Sequence, residues 1–323
     1  MRVCRQRYFR DMIIFILGPT GVGKTELSIP FAKRVGGEII SCDSMQVYKG
    51  MDIGTSKPSP LLREAVLHHL IDILEPDEDY SAAEFSRRAR LAIDEIMGRG
   101  HLPIIIGGSG LYVRALVDGL FDDSPANWTL RLEIEKEAEL YGKSYLHKRL
   151  ELVDPQTASR LHPGDLRRVV RALEVYEKSR LPISFLHKVT KGIRDEFPMF
   201  FIGLWRERQE IVKRIEERVE DMFRAGLVDE VRSLVAGGKM GRMSSHALGY
   251  KEVAGYLRGE YSQDTAKYLM KRNTKWFAKR QMTWFKKDKR IHWLKLTEDG
   301  DLEMVLNYMV GWIDSGACHT CNS

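Results

Sequence analysis

"GPTGVGKT", Gly18 to Thr25, decides the reading of this 323-residue chain. It fits G-x-x-x-x-G-K-[ST] in full, with the apolar run "IIFIL" (13–17) before it and an amphipathic helical pattern after it. Glycines let consecutive backbone N–H groups curl around phosphate oxygens, and the positive end of the following helix faces the same point. Lys24 offers a point charge to a terminal phosphate, and the Thr25 hydroxyl suits Mg²⁺. The pattern predicts binding of a di- or triphosphate without saying which molecule carries it. Gly18, Pro19, Thr20, Gly21, Val22, Gly23, Lys24 and Thr25 form the candidate cradle.

Further short apolar runs alternate with helical patterns: "EIISC" (38–42), "HLIDIL" (69–74), "LPIIIG" (102–107), "MFFIGLW" (199–205) and "IHWLKL" (291–296). Strands alternating with helices predict an α/β fold, a P-loop NTPase-like parallel sheet flanked by helices. Ser81 followed by Glu84 opens one such helix as a capping box, and Gly98 or Gly100 closes it. From 121 to 195 only polar helical patterns occur, so an all-helical subdomain is expected between two parts of the core, 11–120 and 196–315. Later helices are expected at 207–225, 227–236, 247–258 and 262–287, and residues 1–10 and 316–323 are tails with no assigned role.

Ligands of open parallel sheets bind beyond the carboxyl ends of the strands. "SCDSMQVYKG" (41–50) ends the second strand, so Asp43 is expected to face the crevice opened by the phosphate loop. There a carboxylate can accept a proton from an attacking hydroxyl or amine, bind Mg²⁺ through water, or cap the turn. A hydrolysing P-loop enzyme places a further acid after a later strand, but "LPIIIG" runs straight into "GSGLYVRAL". Glycines at that turn either let a chain or ligand pass close to the backbone or open a helix. Asp72, inside "HLIDIL", suits a structural role equally well. Three classes stay open: a small-molecule or nucleotide kinase, a group transferase that holds a leaving diphosphate, and a nucleic-acid-binding NTPase.

The net charge of +6 is unevenly placed. "KRNTKWFAKRQMTWFKKDKR" (271–290) holds nine Lys/Arg and one Asp, a sum of +8 that leaves the rest of the chain at about −2. Such a patch points to a polyanionic partner. Helical spacing puts Trp276, Arg280 and Trp284 on one face, with Phe277, Gln281 and Phe285 on a neighbouring stripe. Basic groups beside planar rings suit a single-stranded RNA loop; alternatively, the rings pack into the core and the lysines are solvated. Four scattered cysteines make no disulfide framework and suggest a reducing compartment, and the terminal "CHTC" lacks a second ligand pair for a metal. No run reaches the ~18 apolar residues of a membrane span. "MRVCRQRYFRDMIIFIL" lacks a small-residue cleavage site before the loop, so a cytoplasmic protein is expected.

Taken together, "GPTGVGKT", "DSMQVYKGMDIGTSKP", "GGSGLYVRAL", "RRVVRALEVY", "ALGYKE" and "KRQMTWFKKD", in that order, resemble the tRNA dimethylallyltransferases (tRNA isopentenyltransferases) of bacterial type. The resemblance spans residues 13–290. It implies transfer of a dimethylallyl group from its diphosphate to the exocyclic N6 amine of the adenosine 3′ of the anticodon, in tRNAs reading codons that begin with U. It also implies that the loop holds the prenyl diphosphate rather than ATP, with Mg²⁺ at Thr25. Asp43, Thr25 and Arg218 would be catalytic, with Asp43 as base and Arg218 on the diphosphate. Arg214, one turn earlier, is either an assistant or a solvated charge.

For the tRNA anticodon stem-loop the resemblance implies contacts from Asp43, Ser44, Met45, Gln46, Ser109, Arg167, Arg168, Arg171, Gly249, Tyr250, Lys251, Lys279, Arg280, Gln281, Thr283, Trp284 and Lys286. Met45 departs from the family, which often has a small residue there. A monomer with no membrane partner is expected. The nearest alternative in the same chemistry is an adenylate isopentenyltransferase acting on free nucleotides, which has little use for the helical insertion or the basic helix. The alternative from another class is a P-loop small-molecule kinase.

Overall fold

In the computed structural model, which describes residues 12–120, 127–297 and 302–314, six strands form one parallel sheet. They are β1 (Ile13–Leu17), β2 (Gly37–Cys42), β3 (His68–His69), β4 (Leu102–Gly107), β5 (Met199–Trp205) and β6 (Ile291–Lys295), in the order β3-β2-β4-β1-β5-β6. Every residue of β1 and β4 is buried, because a parallel sheet is covered by helices on both faces and its strands read as unbroken apolar runs. Alternate residues define the two faces. Ile14, Ile16, Ile104, Ile106, Phe200 and Ile202 meet Phe31 and Ala32 of the helix Lys24–Val35 and Leu306 and Met309 of the helix Leu302–Asp314. On the opposite face Phe15 stacks on Phe201 with ring centroids 4.5 Å apart.

The third predicted strand is shorter than its apolar run suggests. Only His68 and His69 pair with β2, and Leu70 and Asp72 take positive φ values of 61° and 55°. The chain there leaves the sheet to bond the loop after β2: Asp72 N–H donates to Gln46 O (3.3 Å) and Ile73 N–H to Val47 O (2.9 Å). Asp72 therefore belongs to no strand. Its carboxylate takes Lys57 Nζ at 2.5 Å and Arg63 Nη1 at 2.6 Å, a structural role.

Local signals elsewhere act as their chemistry requires. Ser81 Oγ accepts from Glu84 N–H at 3.1 Å, which starts the helix Ala82–Gly98. Glu84 itself turns to Arg87 and Arg88.

The chain divides into two compact units: the described residues up to Val113 together with those from Arg194 onward, and Arg114–Ile193. The second contains no strand among its described residues. Its helices Trp128–Tyr141, Lys143–Val153 and Leu166–Ser179 share a core of Ile134, Leu146, Leu150, Val169 and Leu173. Asp154 pins the short helix Pro155–Ala158 through Thr157 N–H (3.0 Å) and also accepts from Ser184 N–H (2.9 Å). Among the described residues no helix is long and apolar enough to cross a membrane. Cys4, Cys318, Cys321 and the basic stretch 2–10 lie outside the described residues.

Candidate active site

Strand register sets the site. Leu17, Gly107 and Cys42 are level at the carboxyl ends of β1, β4 and β2. The next residues, Gly18, Gly108 and Asp43, therefore open the phosphate loop, the glycine turn and the acid loop side by side. This is the crevice expected of a parallel sheet.

Side chains far along the chain hold the phosphate loop. Lys24 Nζ donates to Gly18 O and Pro19 O, both at 2.9 Å. From the helix Arg208–Arg224, Arg214 Nε donates to Gly21 O at 2.9 Å, and its guanidinium also pairs with Glu26. Arg214 is thus a brace of the loop and not a solvated charge. Arg206, which sequence reasoning missed, donates through Nε to Val22 O at 2.9 Å. Gly21 and Gly23 have φ values of 80° and 106°, which side chains rarely tolerate. With the carbonyls engaged, the N–H groups of Gly21, Gly23, Lys24 and Thr25 donate to nothing among the described residues. That row of free donors at a helix N-terminus is an anion cradle.

Arg218 reaches the same loop, with Nη1 3.3 Å from Thr20 Oγ1. Burial lowers the Arg218 pKa from its usual value, and Asp43 opposes that shift while Arg214 adds to it. Lys24 is pushed down to about 8, first by burial; Asp43 raises it and Arg218 lowers it. Lys24, Arg218 and Asp43 therefore lie close enough for each charge to act on the others. The neighbouring Cys42 thiol, with Sγ 3.8 Å from Ser109 O, is buried and pushed up, so it stays protonated.

Asp43 does cap its turn: Oδ1 accepts from Met45 N–H at 2.8 Å and Gln46 N–H at 3.4 Å. Its Oδ2 accepts nothing among the described residues, so one carboxylate oxygen stays available. Ser44 and Met45 are half-buried beside it, whereas the Gln46 amide is engaged internally. Gln46 accepts from Ser41 Oγ (2.9 Å) and donates to Thr55 O (3.3 Å).

The rest of "DSMQVYKGMDIGTSKP" is tied down by groups that carry no local signal. The Lys57 side chain is 1% exposed and donates to Tyr48 O (2.8 Å) and to the carboxylates of Asp52 and Asp72 (each 2.5 Å). Glu230 Oε2 accepts from the N–H groups of Asp52 (3.1 Å) and Ile53 (2.8 Å), and Oε1 from Gly54 N–H (3.2 Å).

The helix Gln263–Phe285 has two characters. Lys267, Lys271 and Lys275 pair with Glu220 and Glu216 of the helix Arg208–Arg224, and the two lysines on Glu220 hold it down to about 2. Beyond them Lys279, Arg280, Lys286, Lys287 and Lys289 are exposed, with no carboxylate partner among the described residues. Trp276, Lys279, Arg280, Thr283, Trp284 and Lys287 line a surface groove of about 390 Å³. The opposite stripe is internal, with Ala278, Gln281 and Phe285 all buried. Both alternatives for the aromatic residues thus hold, on different faces of one helix.

Two residues expected to touch RNA are internal instead. Tyr250 has no exposed surface and donates its hydroxyl to Glu230 Oε1 at 2.5 Å. Gln281 is 8% exposed, and its amide is consumed between Thr20 N–H (2.8 Å) and Gly108 O (3.0 Å). The glycine turn serves this packing. A Cβ on Gly108 would lie 2.2 Å from Gln281 Nε2, and one on Gly110 2.2 Å from the Trp284 ring. Ser109 is half-buried at the head of the helix Gly110–Val117. Gly249, with φ 91°, is capped by Glu252, while Lys251 stays exposed. In the second unit Arg167 and Arg168 are exposed, whereas Arg171 pairs with fully buried Glu174 at 2.6 Å.

For Mg²⁺, the donors fit a site of the P-loop kind. That ion keeps several waters and takes one or two protein oxygens plus phosphate oxygens. Thr25 leaves its hydroxyl without a hydrogen bond, and the described residues hold no cluster of three His, Cys, Asp or Glu side chains that would form an all-protein cage.

A phosphate loop with free amides, braced by three arginines and level with a carboxylate, defines a P-loop α/β protein with an anion cradle beside an acid. The IPP transferase family matches residues 46–288, and the chain belongs to that family. It is 48% identical to "tRNA dimethylallyltransferase 2" of Geotalea uraniireducens over 287 residues, 88% of this chain and 93% of the relative. It is 49% identical to the tRNA dimethylallyltransferase of Carboxydothermus hydrogenoformans over 284 residues, 88% of this chain and 91% of that protein. Among solved structures, the tRNA isopentenylpyrophosphate transferase of Bacillus halodurans is 38% identical with a TM-score of 0.69, covering 95% of this chain and 98% of its own. A eukaryotic dimethylallyltransferase acting on tRNA is 28% identical with a TM-score of 0.80, covering 95% and 80%.

Proposed function

We propose that this chain transfers the dimethylallyl group of dimethylallyl diphosphate to the N6 amine of the adenosine 3′-adjacent to the anticodon, in tRNAs that read codons beginning with U. The observation that carries this reading is the grouping of Lys24, Arg218 and Asp43 at one crevice beside the free loop amides. The amine nitrogen attacks the first prenyl carbon, the carbon–oxygen bond breaks, and diphosphate leaves with the bonding pair. The amine proton passes to Asp43, whose Oδ2 is the unengaged oxygen. Lys24, Arg218 and the loop amides stabilise charge that grows on the leaving oxygens, the kind of fixed electrostatics that lowers a barrier most. Mg²⁺, held through the Thr25 hydroxyl, would supply further charge neutralisation to the diphosphate. An exocyclic amine is a weak nucleophile, so alignment counts as much as basicity.

The exposed cations from Lys279 to Lys289 support binding of an anticodon stem-loop, with Ser44, Met45 and Ser109 near the extruded base. Arg167 and Arg168 of the helical unit are further candidates for RNA phosphates. An unpaired loop base costs little to extrude. We assign the chain as a monomer working in the cytoplasm, where its RNA substrate resides. Incubation with labelled dimethylallyl diphosphate and bulk tRNA, followed by nucleoside analysis, should yield N6-prenylated adenosine. Label appearing only in free adenine nucleotides, or phosphate transfer from ATP without prenyl incorporation, would sink the assignment.

A further inference from the structure

We propose that Gln281 is a positioning residue that holds the phosphate loop in its diphosphate-binding shape. This rests on the reading that the loop takes the prenyl diphosphate. Gln281 lies on the inner stripe of the basic helix with Ala278 and Phe285, away from the exposed Lys279 and Arg280 of the same turn. Its Oε1 accepts from Thr20 N–H at 2.8 Å, and its Nε2 donates to Gly108 O at 3.0 Å. One planar amide thus joins the phosphate loop to the glycine turn, with one donor and one acceptor used as glutamine alone among the uncharged long side chains allows. Methionine has neither strong group, and glutamate would bring a negative charge beside a diphosphate.

Two further observations point to the loop as the object of this contact. Thr20 is gripped twice, at its N–H by Gln281 and at its Oγ1 by Arg218 (3.3 Å), so the diphosphate arginine and the glutamine meet on one residue. Gly108 has no Cβ where one would sit 2.2 Å from Gln281 Nε2, so the turn lies flat against the amide. The loop needs such a hold. Gly21 and Gly23 leave its backbone soft, and each free dihedral must be ordered when a ligand binds. With Thr20 N–H held away, the remaining free amides are those of Gly21, Gly23, Lys24 and Thr25, which are left to the ligand.

The test uses the full chain with Gln281→Met. The dissociation constant of inorganic diphosphate with Mg²⁺ is measured by calorimetry, that of an anticodon stem-loop RNA by fluorescence, and KM is measured for each substrate. Loss of two hydrogen bonds predicts about tenfold weaker diphosphate binding and an equal rise in the donor KM. RNA affinity should stay within about twofold, because no RNA contact is removed. Gly108→Ala perturbs the same amide from the other side and should give the same donor-selective defect. The double variant should be no worse than either single one, since both break one contact.

Weakened RNA binding with unchanged diphosphate affinity would make Gln281 an RNA contact and overturn the proposal. An equal loss for both ligands with a lowered Tm would reduce it to core packing and also overturn it. Wild-type protein that binds diphosphate but no RNA would refute the tRNA reading and leave the diphosphate measurements to decide Gln281. Wild-type protein that binds neither would remove both.

Discussion

Glu230 and Tyr250 share a hydrogen bond of 2.5 Å, and the turn Asp52–Ile53–Gly54 is folded around that pair. The fit is close: a Cβ on Gly54 would fall 2.4 Å from the Tyr250 ring. Burial, reinforced by the Glu230 carboxylate, pushes the Tyr250 pKa up, so the hydroxyl remains a donor. Removing the carboxylate strands three N–H groups and a phenol. Glu230→Ala should therefore cost about 2–3 kcal/mol of stability, the scale of hydrogen bonds to a charged group. Urea unfolding measures this, and a change below about 0.5 kcal/mol would show that the turn holds its own shape.

Because Asp43 both caps a turn and offers a free oxygen, Asp43→Asn separates the two roles. Asparagine keeps an acceptor for Met45 N–H but takes no proton. Turnover should fall about 10²–10⁴-fold with Tm and RNA affinity nearly unchanged. Asp43→Ala should lose the cap as well, at about 1 kcal/mol. Single-turnover rates and thermal melts check both, and near-normal turnover of the asparagine variant would leave Asp43 as a cap alone.

Lys24 should make diphosphate binding pH-dependent. Its pKa of about 8 in the free protein means that the charged form is lost as pH rises through 8. A bound diphosphate favours the ammonium, so binding at pH 8.5 should draw a proton from solvent. Diphosphate affinity should fall steadily above that pH, and Lys24→Met should abolish the proton uptake. Calorimetry in buffers of different ionisation enthalpy reads the proton count directly.

The exposed end of the basic helix predicts a salt effect. Replacing Lys279, Arg280 and Lys286 by alanine should reduce the slope of log K for RNA against log salt by about two, at roughly 0.7 per single-strand phosphate. Replacing Lys267 and Lys271, which pair with Glu220, should change the slope far less. Equal effects from the two sets would place the RNA elsewhere.

Much of this was legible because its signals are local. Apolar runs mark β1, β4 and β5, a serine marks the helix at Ala82, and one short pattern marks the phosphate loop. The run at 69–74 misled because its apolar residues serve a loop as well as a strand, and only pairing partners decide between the two. Arg206, Glu230 and Lys57 carry no sequence signal because their roles are hydrogen bonds and ion pairs that only the folded chain brings together, which leave no periodicity. Gln281 lies on the expected helix, but its amide bonds the phosphate loop and the glycine turn, a pairing that no local pattern announces. Helical spacing put it one step from Arg280, and that step is the difference between the inner and outer faces.

The 261 residues that separate Thr20 from Gln281 have a consequence during synthesis. A ribosome adding about 5–20 residues per second needs roughly 13–50 s to travel between them. Throughout that interval the nascent chain already displays its glycine-rich loop but lacks, in turn, Arg206, Arg214, Arg218 and the glutamine that brace it. A chain released early would therefore carry the loop without its braces. The phosphate loop is fully braced only when the basic helix, the last of these elements in the chain, has also been made.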